Sequence, residues 1–192
     1  TNHYLAGISS TPVQPYTQTV LADNPTIYAR LNDSAFTGPG LDSLPVATNY
    51  GSLGTSANGL YQPGTAPGVA GPPYAGFGSP SLGVAISSFN GGVDVGGGNL
   101  PAALNPTNTQ PFTIMSWFRG NPADSAARYQ ALAGHGNSSW RLGFDLTTGN
   151  NFNPGAGPQL GFTNTTEVVA NSMNVNDGQW HFAAGVSDGT ND

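Results

Sequence analysis

The sequence predicts an all-β fold, a sandwich or barrel of many short strands. Three observations carry this. Apolar and polar residues alternate with period two in "PFTIMSWFRG" (111–120), "WRLGFDL" (140–146) and "QWHFAAGVS" (179–187), the signature of half-buried strands. Turn residues punctuate the chain throughout: 28 of its 192 residues are Gly and 16 are Pro, and they separate the patterned runs. No segment carries a helical i, i+3, i+4, i+7 stripe over three turns.

Residues 1–20 read as an extended N-terminal arm or linker. "HYLAGIS" (3–9) and "YTQTV" (16–20) alternate weakly, and Pro12 and Pro15 between them argue against a helix. The domain proper spans 21–192. Its first strand is "PTIYARLND" (25–33), with Ile27, Ala29 and Leu31 opposite Tyr28 and Arg30. Residues 34–83 are rich in Gly, Pro, Ser, Thr and Asn and too long for a simple loop. Short strands are expected within them near Val46–Asn49 and Leu60–Gln62. "VAISSFNGGVDV" (84–95) reads as two strand pieces around an Asn90-Gly91 turn. Strands then follow at 111–120, 129–136, 140–146, 158–164, 167–175 and 179–187. One sandwich interior should bury Phe112, Ile114, Phe118, Trp140, Leu142, Phe144, Trp180, Phe182 and Val186, because each sheet buries one alternating row.

Composition narrows the function. Only 7% of residues are charged, against roughly 25% in ordinary globular chains. The net charge is −6, all four cations are arginine, and no basic cluster exists to neutralise phosphates. Nucleic acid and anionic membrane surfaces are therefore disfavoured as partners. No apolar run approaches the length of a membrane span, so membrane insertion is not expected. Zero Cys excludes disulfides and thiolate metal sites, and zero Lys excludes Schiff-base chemistry. Low charge with much Thr, Asn, Ser and Gly suits an extracellular or cell-surface β protein.

The order of motifs resembles laminin G-like domains of the concanavalin A-like lectin/glucanase superfamily. The resemblance rests on "LADNPTIYARLND" (21–33), with Asp-x-Pro and Tyr-x-Arg-Leu, and on "VATNYGSLGTSANGLY" (46–61), with its spaced Asn, Gly and final Tyr. It rests further on "VAISSFNGGVDVGG" (84–97), on Phe-Thr-Ile-x-x-Trp at 112–117, and on "DGQWHFAAGVSDGT" (177–190). It covers roughly residues 21–190. It implies a jelly-roll sandwich of two antiparallel sheets. It also implies a further strand or two after Asp-Gly-Thr, to be supplied by more chain or by a neighbouring molecule's strand. In the second case the N-terminal arm is a candidate donor strand and the protein a filament or surface-layer subunit.

The resemblance includes glucanases, so hydrolysis must be weighed. Glycoside hydrolysis needs two flanking carboxylates. The chain has one Glu, Glu167, without an acidic neighbour in sequence, and Asp145 shares its strand face with Arg141, which disfavours an acid role. The expectation is a non-catalytic binding or adhesion module with a glycan or extracellular protein as partner; a glycan-active hydrolase is a further alternative. The candidate binding surface comprises Trp117, Arg119, Arg141, Asp145 and His181, which fall on strand faces opposite the aromatic core rows. An aromatic beside Arg, Asp and His suits a sugar or polar peptide; the plainer alternative is that Trp117 is core and His181 packs beside the sheet. Calcium is common in the superfamily, and Asn32, Asp33, Asn90 and Asp94 are turn-located oxygen donors for it. Otherwise these four cap their own turns.

Overall fold

The computed structural model describes residues 2–10, 15–36, 45–87, 91–96, 101–106, 110–123, 129–135, 139–145, 159–163, 167–170 and 175–190. At 129, 144, 145, 159, 163 and 167–170 it describes the backbone alone. The described elements are mostly strands in antiparallel sheets with few helices, an all-β chain. Contacts divide it into two compact units, Thr1–Leu104 and Asn105–Asp192. Among the described residues no helix is long and apolar enough to cross a membrane.

The first unit opens with a correction. Residues expected as an extended arm form two short helices, α1 (Asn2–Ile8) and α2 (Tyr16–Ala22). Pro15 starts α2 rather than preventing it. It stands just before the helix with extended backbone, and its carbonyl accepts from the amides of Gln18 and Thr19 at 2.9 and 3.1 Å. A proline ahead of the first turn sacrifices no helical hydrogen bond. The i, i+4 pair Tyr16 and Val20 is buried, and Tyr16 lies 4.7 Å from the Phe77 ring in a 3-10 turn (Ala75–Phe77). Gly76 of that turn admits α1 so closely that a Cβ there would collide with the Ala6 carbonyl. The helices are therefore packed parts of this unit.

The second correction concerns 25–33. No regular strand forms; Ala29 makes one isolated bridge to Asn49, and Leu31 takes φ 53°, which ends any strand there. The expected short strands do appear: β1 (Val46–Ala47) pairs with β2 (Gly59–Tyr61), and β2 pairs with β5 (Val93–Val95). The pieces at 84–95 do not pair with each other. β4 (Leu82–Ile86) instead pairs with β3 (Thr65–Ala70), a strand the sequence concealed behind Pro67 and Gly68, where the register shifts. Proline and glycine are tolerated in a strand at such an irregularity.

The second unit follows the sequence more closely. Strands β6 (Phe112–Arg119), β7 (Tyr129–Gly134), β8 (Arg141–Asp145), β9 (Gln159–Thr163), β10 (Glu167–Ala170) and β11 (Trp180–Ser187) lie within the expected runs. β7 to β10 form an antiparallel meander, and β11 returns to pair with β6. The two layers meet through Phe118 and Ala183 on one side and Leu142 and Phe162 on the other, with Val175 fully buried between flanking Phe112, Ile114, Leu132 and Leu160. Trp140 and Leu142 face this interior, as expected; Trp140 is 6.0 Å from Phe112. The side chain of Phe144 lies outside the described residues.

β11 breaks the expectation. Its inward row is His181, Ala183, Gly185 and Ser187, not Trp180, Phe182 and Val186. Val186 is 54% exposed. The reason is space: a Cβ on Gly185 would strike the Phe162 ring. β9 supplies the bulk at this point, so β11 must turn its small residues inward. One residue of register moves every side chain to the other face.

Candidate functional site

The register of β6 against β11 builds a face that the sequence recognised only in part. Trp117 stands opposite Phe182, Arg119 opposite Trp180, and Met115 opposite Ala184. Cross-strand partners share a face, so these residues form one row on the side of the pair turned away from the Phe118–Ala183 core. Trp117 and Phe182 have ring centroids 5.4 Å apart with planes at 52°. The Arg119 guanidinium lies over the Trp180 ring, 5.6 Å from its centroid. Met115, Trp117, Trp180 and Phe182 are half-buried, and Arg119 is exposed. Among the described residues Arg119 makes no ion pair with a carboxylate. The face thus combines half-buried aromatic rings with an exposed guanidinium held against one of them.

Of the five residues expected on one binding surface, Trp117 and Arg119 are brought together. His181 is not with them. It lies on the core side of β11, its ring 5.7 Å from Phe118, and its Nε2 is 2.8 Å from Asp177 Oδ1. The Asp177 carboxylate also accepts from the Gln179 amide at 2.8 Å, and Gly178 between them takes φ 78°. "DGQWH" is therefore a tight turn whose aspartate clamps the histidine. The His181 hydrogen bond holds the Asp177 carboxyl below its usual range, with the Gln179 amide adding to the effect. The ring packs beside the sheet, as the plainer reading expected, and its hydrogen-bond partner is a carboxylate.

Arg141 is also elsewhere. It alternates with buried Leu142, so it belongs to the outer side of the four-stranded layer, in register with Gly134 and Thr163. Trp117 and Arg119 belong to the outer side of the other layer. These are opposite faces of a two-layer unit. Asp145 pairs through its backbone with Tyr129 and Gln159, and its side chain lies outside the described residues.

Trp180 and Phe182 were missed as surface residues because their size argues for core. The sequence does hold a signal against that reading. The alternate row Ala183, Gly185, Ser187 is uniformly small, as needed wherever a facing sheet carries large rings.

Asp33 Oδ2 accepts a 2.6 Å hydrogen bond from the hydroxyl of Tyr61, a ring only 1% exposed. Asp94 stands opposite Leu60 on β5, on the exposed side of the strands whose other side buries Tyr61. The two carboxylates therefore point away from each other. Asn32 adjoins Asp33 in sequence, and Asn90 lies outside the described residues. Among the described residues no three His, Asp or Glu side chains gather as metal ligands would.

A second polar centre escaped the sequence reading. Asn49 is 6% exposed. Its Oδ1 accepts from the amides of Tyr28 (2.8 Å) and Gly51 (2.9 Å), and its Nδ2 donates to the Gly54 carbonyl at 3.0 Å. Its backbone amide donates to Asn58 Oδ1 at 2.9 Å. A buried amide must use its donors and acceptors in this way. The hub fixes the segments that carry Tyr28, Arg30 and Tyr50.

Compared with protein-family models, with curated proteins and with solved structures, the chain matches none of them.

Proposed function

We propose that the chain is a non-catalytic, extracellular binding or adhesion module built as a concanavalin A-like jelly roll, with carbohydrate as its ligand class. The observation that carries this reading is the Trp117–Phe182 and Arg119–Trp180 row on the outer side of β6 and β11. β11 buries its opposite row, so this row lies on the other side of the strand pair. Aromatic faces stack on the apolar side of a sugar ring, and a guanidinium held beside them donates to its oxygens. Arg119 needs no rearrangement to do so, because Trp180 already orders it. The low charge and the order of motifs support the extracellular laminin G-like reading. The alternative of a filament subunit joined by its N-terminal arm is less well supported, since that arm is helical and packed within its own unit.

The test is calorimetric titration and array binding of neutral oligosaccharides to wild type, Arg119→Ala and Trp180→Ala. Both variants should bind at least tenfold more weakly, while Arg119→Ala melts within a degree or two of wild type. Undiminished binding by both, or no saccharide bound by wild type, would sink the proposal.

A further inference from the structure

Tyr28, Arg30 and Tyr50 form a second aromatic–arginine cluster, within the unit of residues 1–104. The Arg30 guanidinium lies over the Tyr50 ring, 5.9 Å from its centroid. The Tyr28 and Tyr50 rings are 6.4 Å apart at 57°. The Tyr28 hydroxyl lies 3.4 Å from Thr17 Oγ1. Tyr50 is nevertheless 46% exposed.

Three features separate this cluster from a chance surface contact. Among the described residues Arg30 makes no ion pair, although the chain carries ten carboxylates and only four cations. A guanidinium has five donors, and lying over the Tyr50 ring uses none of them. The backbone beneath is also unusually constrained. Asn49 Oδ1 holds the Tyr28 amide, the Tyr50 amide donates to the Tyr28 carbonyl at 2.9 Å, and Ala29 bridges to Asn49. Gly51 permits this approach: a Cβ there would sit 2.6 Å from the Thr26 carbonyl. The sequence spends a buried asparagine and an obligatory glycine on presenting a half-exposed tyrosine and an arginine that, among the described residues, pairs with no carboxylate. Such support is what a preorganised site requires.

We propose that Tyr28, Arg30 and Tyr50 bind a saccharide unit bearing a carboxylate. The guanidinium fork matches the two carboxylate oxygens. The exposed Tyr50 ring meets the sugar's C–H face, and the Tyr28 and Thr17 hydroxyls serve its hydroxyl groups. The proposal does not depend on the neutral-sugar reading given for the β6–β11 row.

Calorimetry with tetragalacturonate and sialyllactose, beside methyl-esterified tetragalacturonate and lactose, tests this in the whole chain. An acidic probe should bind at least tenfold more tightly than its neutral counterpart, and the preference should shrink as salt rises from 10 to 300 mM, since exposed charges are screened. Arg30→Ala should abolish the preference, and Arg30→Lys should restore only part of it. Tyr50→Leu, which keeps the guanidinium but removes the ring, should weaken the acidic probe if Arg30→Ala proves unstable. Equal affinity for acidic and neutral probes, absence of binding to both acidic probes, or a preference not lost in Arg30→Ala would overturn the assignment. Loss of neutral-sugar binding in Trp180→Ala alone concerns the β6–β11 row and leaves this site standing.

Discussion

The unit of residues 105–192 is centred on hydrocarbon, with Phe118, Leu142, Phe162 and Val175 between two sheets. The unit of residues 1–104 has at its centre a buried asparagine with four hydrogen bonds and a tyrosine whose hydroxyl ends on a carboxylate. Strand length accounts for much of the difference. β6 and β11 run eight residues each and present whole apolar rows to a partner layer. β1, β2 and β5 run two or three residues, so they close few ladder hydrogen bonds and bury short rows. Where regular ladders are short, backbone polar groups must find side chains instead. Asn49 and Asn58 fill that need.

This comparison can be broken or sharpened by substitution. The largest effect should come from Phe162→Ala, which removes the ring packed against Gly185 and Phe112. It should cost about 3–5 kcal/mol in denaturant unfolding. A cost below about 1 kcal/mol would mean that the described core does not stabilise this unit.

Next is Asn49→Ala, expected to cost about 3 kcal/mol because the Tyr28 and Gly51 amides and the Gly54 carbonyl lose their partner. Asn49→Asp keeps both accepted bonds and loses only the donated one, so it should cost less than the alanine. If alanine and aspartate are equally tolerated, the polar hub is ornamental.

Tyr61→Phe should cost about 2 kcal/mol at neutral pH through the lost bond to Asp33. It also tests alkaline behaviour. Burial raises the Tyr61 phenol above its ordinary value, and the bond to Asp33 raises it further. A raised folded-state pKa means stability fully present below the unfolded value, near 10, and lost as pH climbs from there through the folded value. Tyr28 is also raised by burial and acts with the same sign. Wild type should therefore lose stability above about pH 10 more steeply than Tyr61→Phe, as read from paired melts across that range. Parallel curves would contradict the Tyr61 assignment.

The smallest effect should be Val186→Thr. With Val186 outward, the change should stay within about 0.5 kcal/mol. A loss above about 1.5 kcal/mol would restore the opposite register of β11.

Period-two alternation and turn residues, both local properties, determined the all-β class and located β6 to β11 to within a few residues. The same pattern identified Trp117 and Arg119 as belonging away from the core row of β6. Which row of β11 faces inward was a different kind of question. Both rows alternate, and the answer depended on Phe162, some twenty residues away, whose ring leaves room only for Gly185. The helices at 2–8 and 16–22 were likewise decided from outside themselves. Helices of seven residues are too short to persist unaided in water, and Phe77 and Gly76 supply the packing that the sequence of the helices does not contain. Asn49 looked like one more loop asparagine until the chain brought Tyr28, Gly51, Gly54 and Asn58 around it. Alternation is a property of neighbours along the chain; burial and hydrogen-bond partners are properties of neighbours in space, and only the folded chain has those.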